Sequence, residues 1–183
     1  MTLYSQKSPF CASIIERWPI SKEKSNKDTQ HIVIDLGSSG ITYEPGDSLG
    51  VIPTNHFDVV EKTIKAMKAS PDDIVVDKRT QEKKTLREFL TNNANISKVT
   101  KKLLKAVGDP KGILESENPQ EYLDNHELWD FLEDYPEVTL EVQDLCNMLT
   151  RIIPRLYSIA SSMKEVGNKV HLIVAVVTYE TND

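Results

Sequence analysis

The apolar residues of this chain follow a strand-like spacing at both ends and a helix-like spacing in the middle. In residues 30–36, Ile32 and Ile34 lie two positions apart, as in a strand with one buried face. Between about residues 85 and 148, apolar residues recur every three or four positions, as on one face of a helix. From Arg155 onward the strand pattern returns. This order predicts an α+β fold in which β-structure is interrupted by a helical insertion.

Capping and turn residues set the expected boundaries of the helices. Thr54 or Asn55 is placed to cap the first helix, and Ser97 is placed to cap a later one, because their side chains can accept hydrogen bonds from the first free amides of a helix. The spacing over residues 122–131 predicts one continuous helix. The lysine pair at 83–84 is expected in a solvated helix or loop.

Length, composition and cysteine content exclude several classes of protein. The chain has 183 residues, a length that fits one domain of ordinary size or one domain with a sizeable insertion, and 39% of them are hydrophobic and 27% charged, values typical of a soluble globular chain. The longest wholly apolar stretch, residues 172–177, is too short to cross a bilayer. With no leader pattern at the start, we expect a cytoplasmic location. Cys11 and Cys146 lack metal-ligand spacing, so we expect two buried thiols and no metal site.

The negative charge is concentrated in one segment. The formal net charge is −6, and residues 112–150 hold eleven Asp and Glu residues with no Lys or Arg to neutralise them. No basic stripe with interleaved aromatic residues is present, which argues against nucleic-acid binding. Two interpretations of the acidic segment stay open. It is either a solvated face or a docking surface for a basic partner.

Residues 154–162, with the sequence P-R-L-Y-S-I-A-S-S, carry the clearest chemical pattern. On a strand, Arg155 and Tyr157 would share one face, while Leu156 and Ser158 would share the other. An Arg offers a planar fork to a phosphate oxygen, a Tyr offers a flat face to an aromatic ring, and a Ser hydroxyl can hydrogen-bond a ring nitrogen. An edge strand with an exposed Arg and a packed Tyr remains the alternative.

Several segments together resemble a known family. R-L-Y-S resembles the R-x-Y-S flavin signature of the ferredoxin-reductase-like flavoproteins, and the extension I-A-S-S is similar to that of the diflavin reductases. Residues 31–36 and 43–51 are similar to the family's H-I-x-I-D-L and Y-x-P-G-D-x-L-G-V strands. Residues 92–96 resemble the helical insert of the branch that contains the flavoprotein subunit of NADPH-dependent sulfite reductase. The resemblance runs from about residue 10 to about residue 180.

The resemblance implies an FAD-binding antiparallel β-barrel interrupted by an all-helical connecting domain. Under this hypothesis residues 8–56 and 150–183 are parts of the barrel, which is only partly present, and residues 57–149 are the connecting domain. Because a β-barrel and a separate helical domain are combined in this arrangement, the expected fold class is α+β.

The resemblance also implies roles for individual residues. Arg155 would pair with the FAD pyrophosphate, Tyr157 would stack on the isoalloxazine, and Ser158 would lie near the flavin N5 as the catalytic residue. The other cofactor contacts that it implies, of which the last is the loosest match, are Leu156, Ile173, Val174, Ala175, Tyr179 and Asn93.

The implied activity is that of an NADPH-dependent flavoprotein oxidoreductase. Electrons would pass from NADPH through FAD to FMN or to a haem-containing reductase subunit, with residues 112–150 as the candidate docking surface. The family's G-x-x-S/T loop, NADP(H)-binding module and FMN-binding module do not occur in these residues. We therefore expect NADPH and FMN to bind elsewhere, and the 183-residue piece alone to bind FAD poorly and be inactive. A cytochrome P450 reductase-like protein and a non-catalytic interaction lobe are the alternatives.

Overall fold

The structure is a computed structural model that describes residues 4–5, 8–137 and 140–177. Its strands are β1 (Ser13–Pro19), β2 (Asp28–Asp35), β3 (Ser48–Val51), β4 (Ile74–Val76), β5 (Lys83–Thr85), β6 (Arg155–Ser158) and β7 (Lys169–Val176). Its α-helices are α1 (Phe57–Ala66), α2 (Leu86–Asn92), α3 (Lys101–Ala106), α4 (Pro119–Asn125), α5 (Leu128–Asp134), α6 (Val142–Met148) and α7 (Met163–Val166).

The chain divides into two compact units. Of the described residues, the β unit contains those up to Ile52 and residues 153–177, and the helical unit contains those within Pro53–Ile152. Strands β1, β2, β3, β6 and β7 belong to the β unit, whereas α1 to α6 and the β4–β5 hairpin belong to the helical unit. The architecture is therefore a mixture of helices and antiparallel sheets, as the changing periodicity predicts.

The β unit is built from two open antiparallel sheets. One has the strand order β1-β2-β7, and the other pairs β3 with β6. In the register of the larger sheet, Ile34 faces Val170 and Ile32 faces Leu172, so these apolar side chains share one face. Ile34, Val170 and Leu172 are buried, together with Leu36 and Tyr43. The described strands do not close into a barrel, because β1 lies at a sheet edge.

Strands β6 and β7 meet at only one place in the described chain. An antiparallel bridge joins Ile159 to Leu172 just beyond the end of β6. Beside it, the Ala160 amide donates to the His171 carbonyl over 2.9 Å. Toward Arg155 the β6 residues pair with β3 instead. The two strands therefore have one fixed junction.

Two hydroxyl groups hold this junction together. The buried Tyr43 hydroxyl donates to the Lys169 carbonyl over 2.7 Å and lies 2.7 Å from Ser161 Oγ. Ser161 Oγ accepts a hydrogen bond from the His171 amide over 3.0 Å. Ser161 belongs to the I-A-S-S extension, so part of that motif has a structural role in connecting β6 to β7.

The helical unit has its own apolar core. Its side chains come from α1, β4, the helices α2 to α6 and the segments between them. The largest fully buried members are Val60, Val75, Leu86, Leu90, Ile96, Leu103, Leu104, Leu128 and Phe131. In the hairpin, Lys83 pairs with Val76 and Lys84 with Val75. The lysine pair therefore lies in strand β5, and its expected placement in a helix or loop is wrong.

The first helix has a different cap from the one expected. The N-cap of α1 is His56, whose side chain accepts a hydrogen bond from the Asp58 amide. Asn55 is one residue earlier and has another role, because its Nδ2 donates to the carbonyls of Leu90 and Ala94 over 2.6 and 2.7 Å. These carbonyls lie at the end of α2, so Asn55 satisfies groups that the helix leaves unpaired.

The expected cap of the third helix is also wrong. Helix α3 begins at Lys101, and Thr100 Oγ1 caps it by accepting from the Leu103 amide over 3.2 Å. The Ser97 hydroxyl donates instead to Asn95 Oδ1 over 2.9 Å. Both Ser and Thr are good caps, so local propensity alone does not distinguish the two positions.

The helix predicted over residues 122–131 is broken in two. Helix α4 ends before His126, which has extended backbone angles of −117° and 132°. His126 Nδ1 lies 2.7 Å from the Tyr122 carbonyl, and the Leu128 amide donates to the Ile96 carbonyl over 2.9 Å. A tertiary hydrogen bond thus replaces the helical one at this position.

The cysteines have different environments. Cys146 is buried, and burial raises the pKa of its thiol to about 12. Cys11 is exposed, so the expectation that both thiols are buried is wrong. Within the described part of the chain, no helix is both long and apolar enough to span a lipid bilayer.

We expect Tyr43→Phe to lower the free energy of unfolding by about 1–2 kcal/mol, because it leaves the Lys169 carbonyl without its buried donor. Urea denaturation followed by circular dichroism measures the change. Tyr157→Phe is the control, since the Tyr157 hydroxyl makes no hydrogen bond within the described residues. Equal unfolding free energies for the two variants would contradict the structural role of the Tyr43 hydroxyl.

Candidate functional site

Strand β6 carries the four residues of the sequence motif and pairs with β3 along one edge. Ser158 faces Ser48, Tyr157 faces Leu49, Leu156 faces Gly50 and Arg155 faces Val51. The structure therefore brings Arg155, Leu156, Tyr157 and Ser158 together on one regular strand. Their side chains alternate between its two faces, as the sequence predicts.

Within the described residues, the other edge of β6 is unpaired along the motif. Strand β7 pairs with β2 along its whole length, from Lys169 to Val176, and the described residues form one β-bridge between β7 and the β6 segment, from Ile159 to Leu172. Residues 155–158 and 173–176 therefore each present an unpaired strand edge. We call these two edges the β6–β7 opening. Unpaired strand edges offer rows of amide donors and carbonyl acceptors to a ligand or to another chain.

The side chains at the β6 edge are available for binding. Arg155 is exposed and has no ion-pair partner among the described residues. Its guanidinium group can therefore use its full set of donors on an anion. Tyr157 is half-buried and packs against the apolar core of the β unit. Ser158 is exposed, and Leu156 is 74% exposed.

The β7 edge carries three more residues of the predicted site. Ile173 and Ala175 are exposed, whereas Val174 is half-buried and packs against the core of the β unit. Because their side chains are apolar, any directional contact from this strand must come from its backbone. Tyr179, which was also predicted to contact the cofactor, lies outside the described residues.

A histidine pair lies on the same three-stranded sheet and was not predicted. His31 Nε2 and His171 Nδ1 are 3.1 Å apart, so one ring donates to the other. Trp18 stacks on His31 with ring centroids 4.1 Å apart. These histidines are 140 positions apart. The β2–β7 register brings them together.

The charge state of this pair follows from its surroundings. Burial lowers the pKa of His171, and the neighbouring His31 and Lys169 lower it further, while Glu16 acts in the opposite direction. Two protonated rings could not share the hydrogen bond, because each nitrogen would then be a donor. The pair is therefore held in a form with at least one neutral ring at neutral pH.

Asn93 lies in the helical unit, directly after α2. Its side chain is half-buried, and its Oδ1 accepts a hydrogen bond from Lys84 Nζ over 3.3 Å. Asn93 lines a small pocket together with Asp77 and Arg151, which form an ion pair of 2.8 Å. Polar and charged groups thus converge on this pocket.

The Asp77 carboxylate is buried and fully engaged. Burial raises its pKa, but hydrogen bonds from the Arg79 amide and the Arg151 side chain outweigh that effect, so the pKa is lowered overall. The Asp77–Arg151 pair is therefore charged at neutral pH. In the described part of the chain, no three His, Cys, Asp or Glu side chains are grouped as metal ligands.

Comparison with curated proteins finds relatives along nearly the whole chain. The sulfite reductase [NADPH] flavoprotein alpha-component of Bacillus subtilis (strain 168) is 35% identical over 188 residues. The proteins of the same name from Vibrio cholerae serotype O1 (strain ATCC 39541 / Classical Ogawa 395 / O395) and Escherichia coli O9:H4 (strain HS) are 36% and 37% identical. The alignments cover 97–98% of this chain but only 30–31% of each relative.

A family model assigns the chain independently of these relatives. The model described as "FAD binding domain" matches residues 3–116 and 83–183. Together the two matches cover the β unit, with both strands of the β6–β7 opening, as well as the helical unit. The chain therefore belongs to the FAD binding domain family.

Proposed function

We propose that the β unit binds FAD at the β6–β7 opening. The observation that carries the proposal is that the strand edges at residues 155–158 and 173–176 are unpaired in the described part of the chain, with a guanidinium group at one of them that has no ion-pair partner there. A dinucleotide cofactor needs cations or amides for its pyrophosphate, a flat surface for its ring system and directional donors and acceptors for its ring edge. The residues at the opening match each of these needs.

Each residue of β6 has a distinct proposed role. The Arg155 guanidinium binds the pyrophosphate with two parallel hydrogen bonds. The Tyr157 ring packs against the isoalloxazine, and its contact with the core of the β unit restricts its motion. The Ser158 hydroxyl would donate to a ring nitrogen of the flavin, and Leu156 lies on the same face of the strand as Ser158.

The remaining contacts come from other segments. Strand β7 supplies backbone donors and acceptors at Ile173, Val174 and Ala175, because its outer edge is unpaired in the described residues. We propose Tyr179 as a further aromatic contact and Asn93 as a polar contact. FAD itself would supply the redox chemistry, while the chain binds, orients and shields it.

We propose that the chain is the FAD-binding part of an NADPH-dependent oxidoreductase. The name that the relatives share, sulfite reductase [NADPH] flavoprotein alpha-component, supports this proposal. The β unit would then be part of the FAD-binding barrel, and the helical unit would be the connecting domain. Because the chain spans less than a third of those relatives, NADPH and FMN would bind to other modules. The cytoplasmic location remains a prediction from the sequence.

The acidic segment, residues 112–150, supports a second part of the proposal, which is that the protein binds a basic partner through this segment. Its exposed carboxylates are Glu115, Glu117, Glu121, Asp124, Glu133, Glu137, Glu141 and Asp144. The segment is nevertheless partly neutralised from outside, since Lys111 Nζ lies 2.7 Å from Asp134 Oδ2. We propose an FMN-binding module or a haem-containing subunit as the partner, attracted by complementary charge.

In a longer protein that also contains the family's pyrophosphate-binding G-x-x-S/T loop, Tyr157→Ala is expected to weaken FAD binding by about 1–3 kcal/mol, because it removes a stacked aromatic surface. Quenching of flavin fluorescence during titration measures the dissociation constant. Tyr157→Phe keeps the ring and should bind FAD like the parent protein. Unchanged affinity in Tyr157→Ala would rule out the stacking role.

Arg155→Lys is expected to weaken FAD binding about tenfold, since an ammonium group cannot make the planar two-pronged contact with a pyrophosphate. The matched control is Arg17→Lys, which changes another arginine of the β unit. Isothermal titration with FAD compares the two variants. If Arg155→Lys binds as tightly as the control, the pyrophosphate has another partner.

The partner proposal predicts a salt-dependent rate. Replacement of the exposed Glu117, Asp124 and Glu133 by Gln or Asn should slow electron transfer from the holoprotein to cytochrome c, a small basic haem protein. The slower electron transfer should be measurable at low ionic strength and should disappear above about 0.5 M salt, where dissolved ions limit charge–charge interactions to a few ångströms. Stopped-flow absorbance measures the rate, and the FAD content should not change.

The control for this experiment removes the same charge elsewhere. Asp72→Asn, Glu88→Gln and Glu23→Gln neutralise three exposed carboxylates outside the acidic segment. Glu127 and Asp130 are left unchanged because Glu127 accepts a hydrogen bond from Trp129 and Asp130 is half-buried. Equal rates for the two triple variants at every salt concentration would leave the solvated-face interpretation of residues 112–150.

A further inference from the structure

Tyr43, Ser161 and two residues of β7 form a closed set of hydrogen bonds in the β unit. The Tyr43 hydroxyl and Ser161 Oγ are 2.7 Å apart. The Tyr43 hydroxyl also lies 2.7 Å from the Lys169 carbonyl, and Ser161 Oγ lies 3.0 Å from the His171 amide. The two hydroxyl groups therefore connect two backbone groups of the same strand.

The chemistry of the end groups fixes the direction of every hydrogen bond in this set. The Lys169 carbonyl can only accept, so the single hydroxyl hydrogen of Tyr43 is donated to it. Ser161 must then supply the hydrogen for its contact with Tyr43. The His171 amide can only donate, and Ser161 Oγ accepts from it. Both hydroxyl hydrogens are thus committed, and hydrogen bonds that follow one another in this way strengthen each other.

The hydroxyl groups lie where the chain changes its strand partner. The Ala160 amide donates to a carbonyl of β7, whereas the preceding Ile159 amide donates to the Asp47 carbonyl, next to β3. Ser158, one position earlier, already pairs with β3. The β6–β7 opening therefore begins at Ser158, and Ser161 lies only three positions away from it.

The two serines of the S-I-A-S segment, Ser158 and Ser161, have different environments. Ser161 is half-buried, and its hydroxyl is used within the hydrogen-bonded set. Ser158 is exposed, and its side chain makes no hydrogen bond within the described residues. A ligand can therefore use the donor of Ser158, whereas the donor of Ser161 is already occupied. Because hydrogen bonds weaken steeply when a donor is tilted or displaced, the backbone beside Ser158 must be held in place.

We propose that Tyr43 and Ser161 are positioning residues for FAD binding. Their hydrogen bonds hold the β6 segment against β7 where the β6–β7 opening begins, and so set the position of the Ser158 hydroxyl relative to the backbone donors and acceptors of β7. The inference rests on the proposed function. Neither residue contacts FAD, because Tyr43 is buried and the Ser161 hydroxyl donates to Tyr43.

The first test measures FAD affinity in a longer protein that also contains the family's G-x-x-S/T loop. Tyr43→Phe and Ser161→Ala each interrupt the set of hydrogen bonds, and we expect each to raise the FAD dissociation constant about fivefold. The double variant should bind no more weakly than either single variant, because one missing hydroxyl already releases the junction. Quenching of flavin fluorescence measures the constants at a temperature where every variant is folded.

The second test is a pair of double-mutant cycles that distinguishes positioning from a general loss of stability. In the parent protein, Ser158→Ala should raise the FAD dissociation constant about fivefold. In the Tyr43→Phe background it should change the constant by less than about twofold, because the Ser158 hydroxyl is no longer held in place. Arg155→Lys, at the other end of β6, should have its full effect in both backgrounds. A purely structural role would leave the Ser158 effect equally large in both.

Two further variants control for the substitution itself. Ser162→Ala makes the same change at the next residue, whose side chain does not cap α7 and makes no other hydrogen bond in the described chain. It should bind FAD within about twofold of the parent. Ser161→Thr keeps the hydroxyl and should also stay within about twofold. If Tyr43→Phe does not fold, Ser161→Ala replaces it in the cycles, and thermal unfolding of each variant measures stability separately.

Each outcome has a distinct meaning. Unchanged affinity in Tyr43→Phe and Ser161→Ala would overturn the inference, and so would a full Ser158→Ala effect in the Tyr43→Phe background. If Ser158→Ala has no effect in the parent protein, the inference is also wrong, because no donor is then being oriented. If Arg155→Lys and Tyr157→Ala weaken binding while the Tyr43 and Ser161 variants do not, the proposed function stands without the positioning role. If the longer parent protein binds no FAD, the proposed function itself is wrong.

Discussion

The divergence of β6 from β7 after a single bridge is the constraint on which the β unit depends. Every buried amide and carbonyl of a strand needs a partner, and β6 obtains its partners from β3 rather than from β7. The point of divergence is held by the hydroxyls of Tyr43 and Ser161, which bind backbone groups at the start of β7. These few hydrogen bonds determine which two strand edges are left open.

An open pair of edges is costly for a protein unless something occupies it. Natural sheets usually protect their edges, because unpaired strands recruit other chains. Here the open segments carry a free guanidinium group at Arg155 and a half-buried ring at Tyr157. Both groups have matching partners in a flavin dinucleotide. The same physical reasoning applies to the helical unit, where the buried Asp77 carboxylate is paired with Arg151.

The sequence predicted the location of strands and helices better than their ends. Strand β2 and the motif strand β6 lie where alternation and β-branched content indicated. The caps at Thr54, Asn55 and Ser97 were wrong because several neighbouring residues could cap equally well, and tertiary contacts made the choice. The continuous helix over residues 122–131 was wrong for a related reason, since the Leu128 amide bonds to Ile96 rather than within its own helix.

The amino-acid sequence by itself determined three features: the order of β and helical segments, the residues of the motif on β6 that resembles a flavin-binding signature, and the clustering of acidic residues in positions 112–150. These features depend on local spacing and on residue type, which a sequence states directly. Only the tertiary structure decided that His31 meets His171, that Lys84 reaches Asn93 and that the edges of β6 and β7 are unpaired among the described residues. Strand register and long-range side-chain contacts join residues that are far apart in the chain, and local propensity carries no information about such pairs.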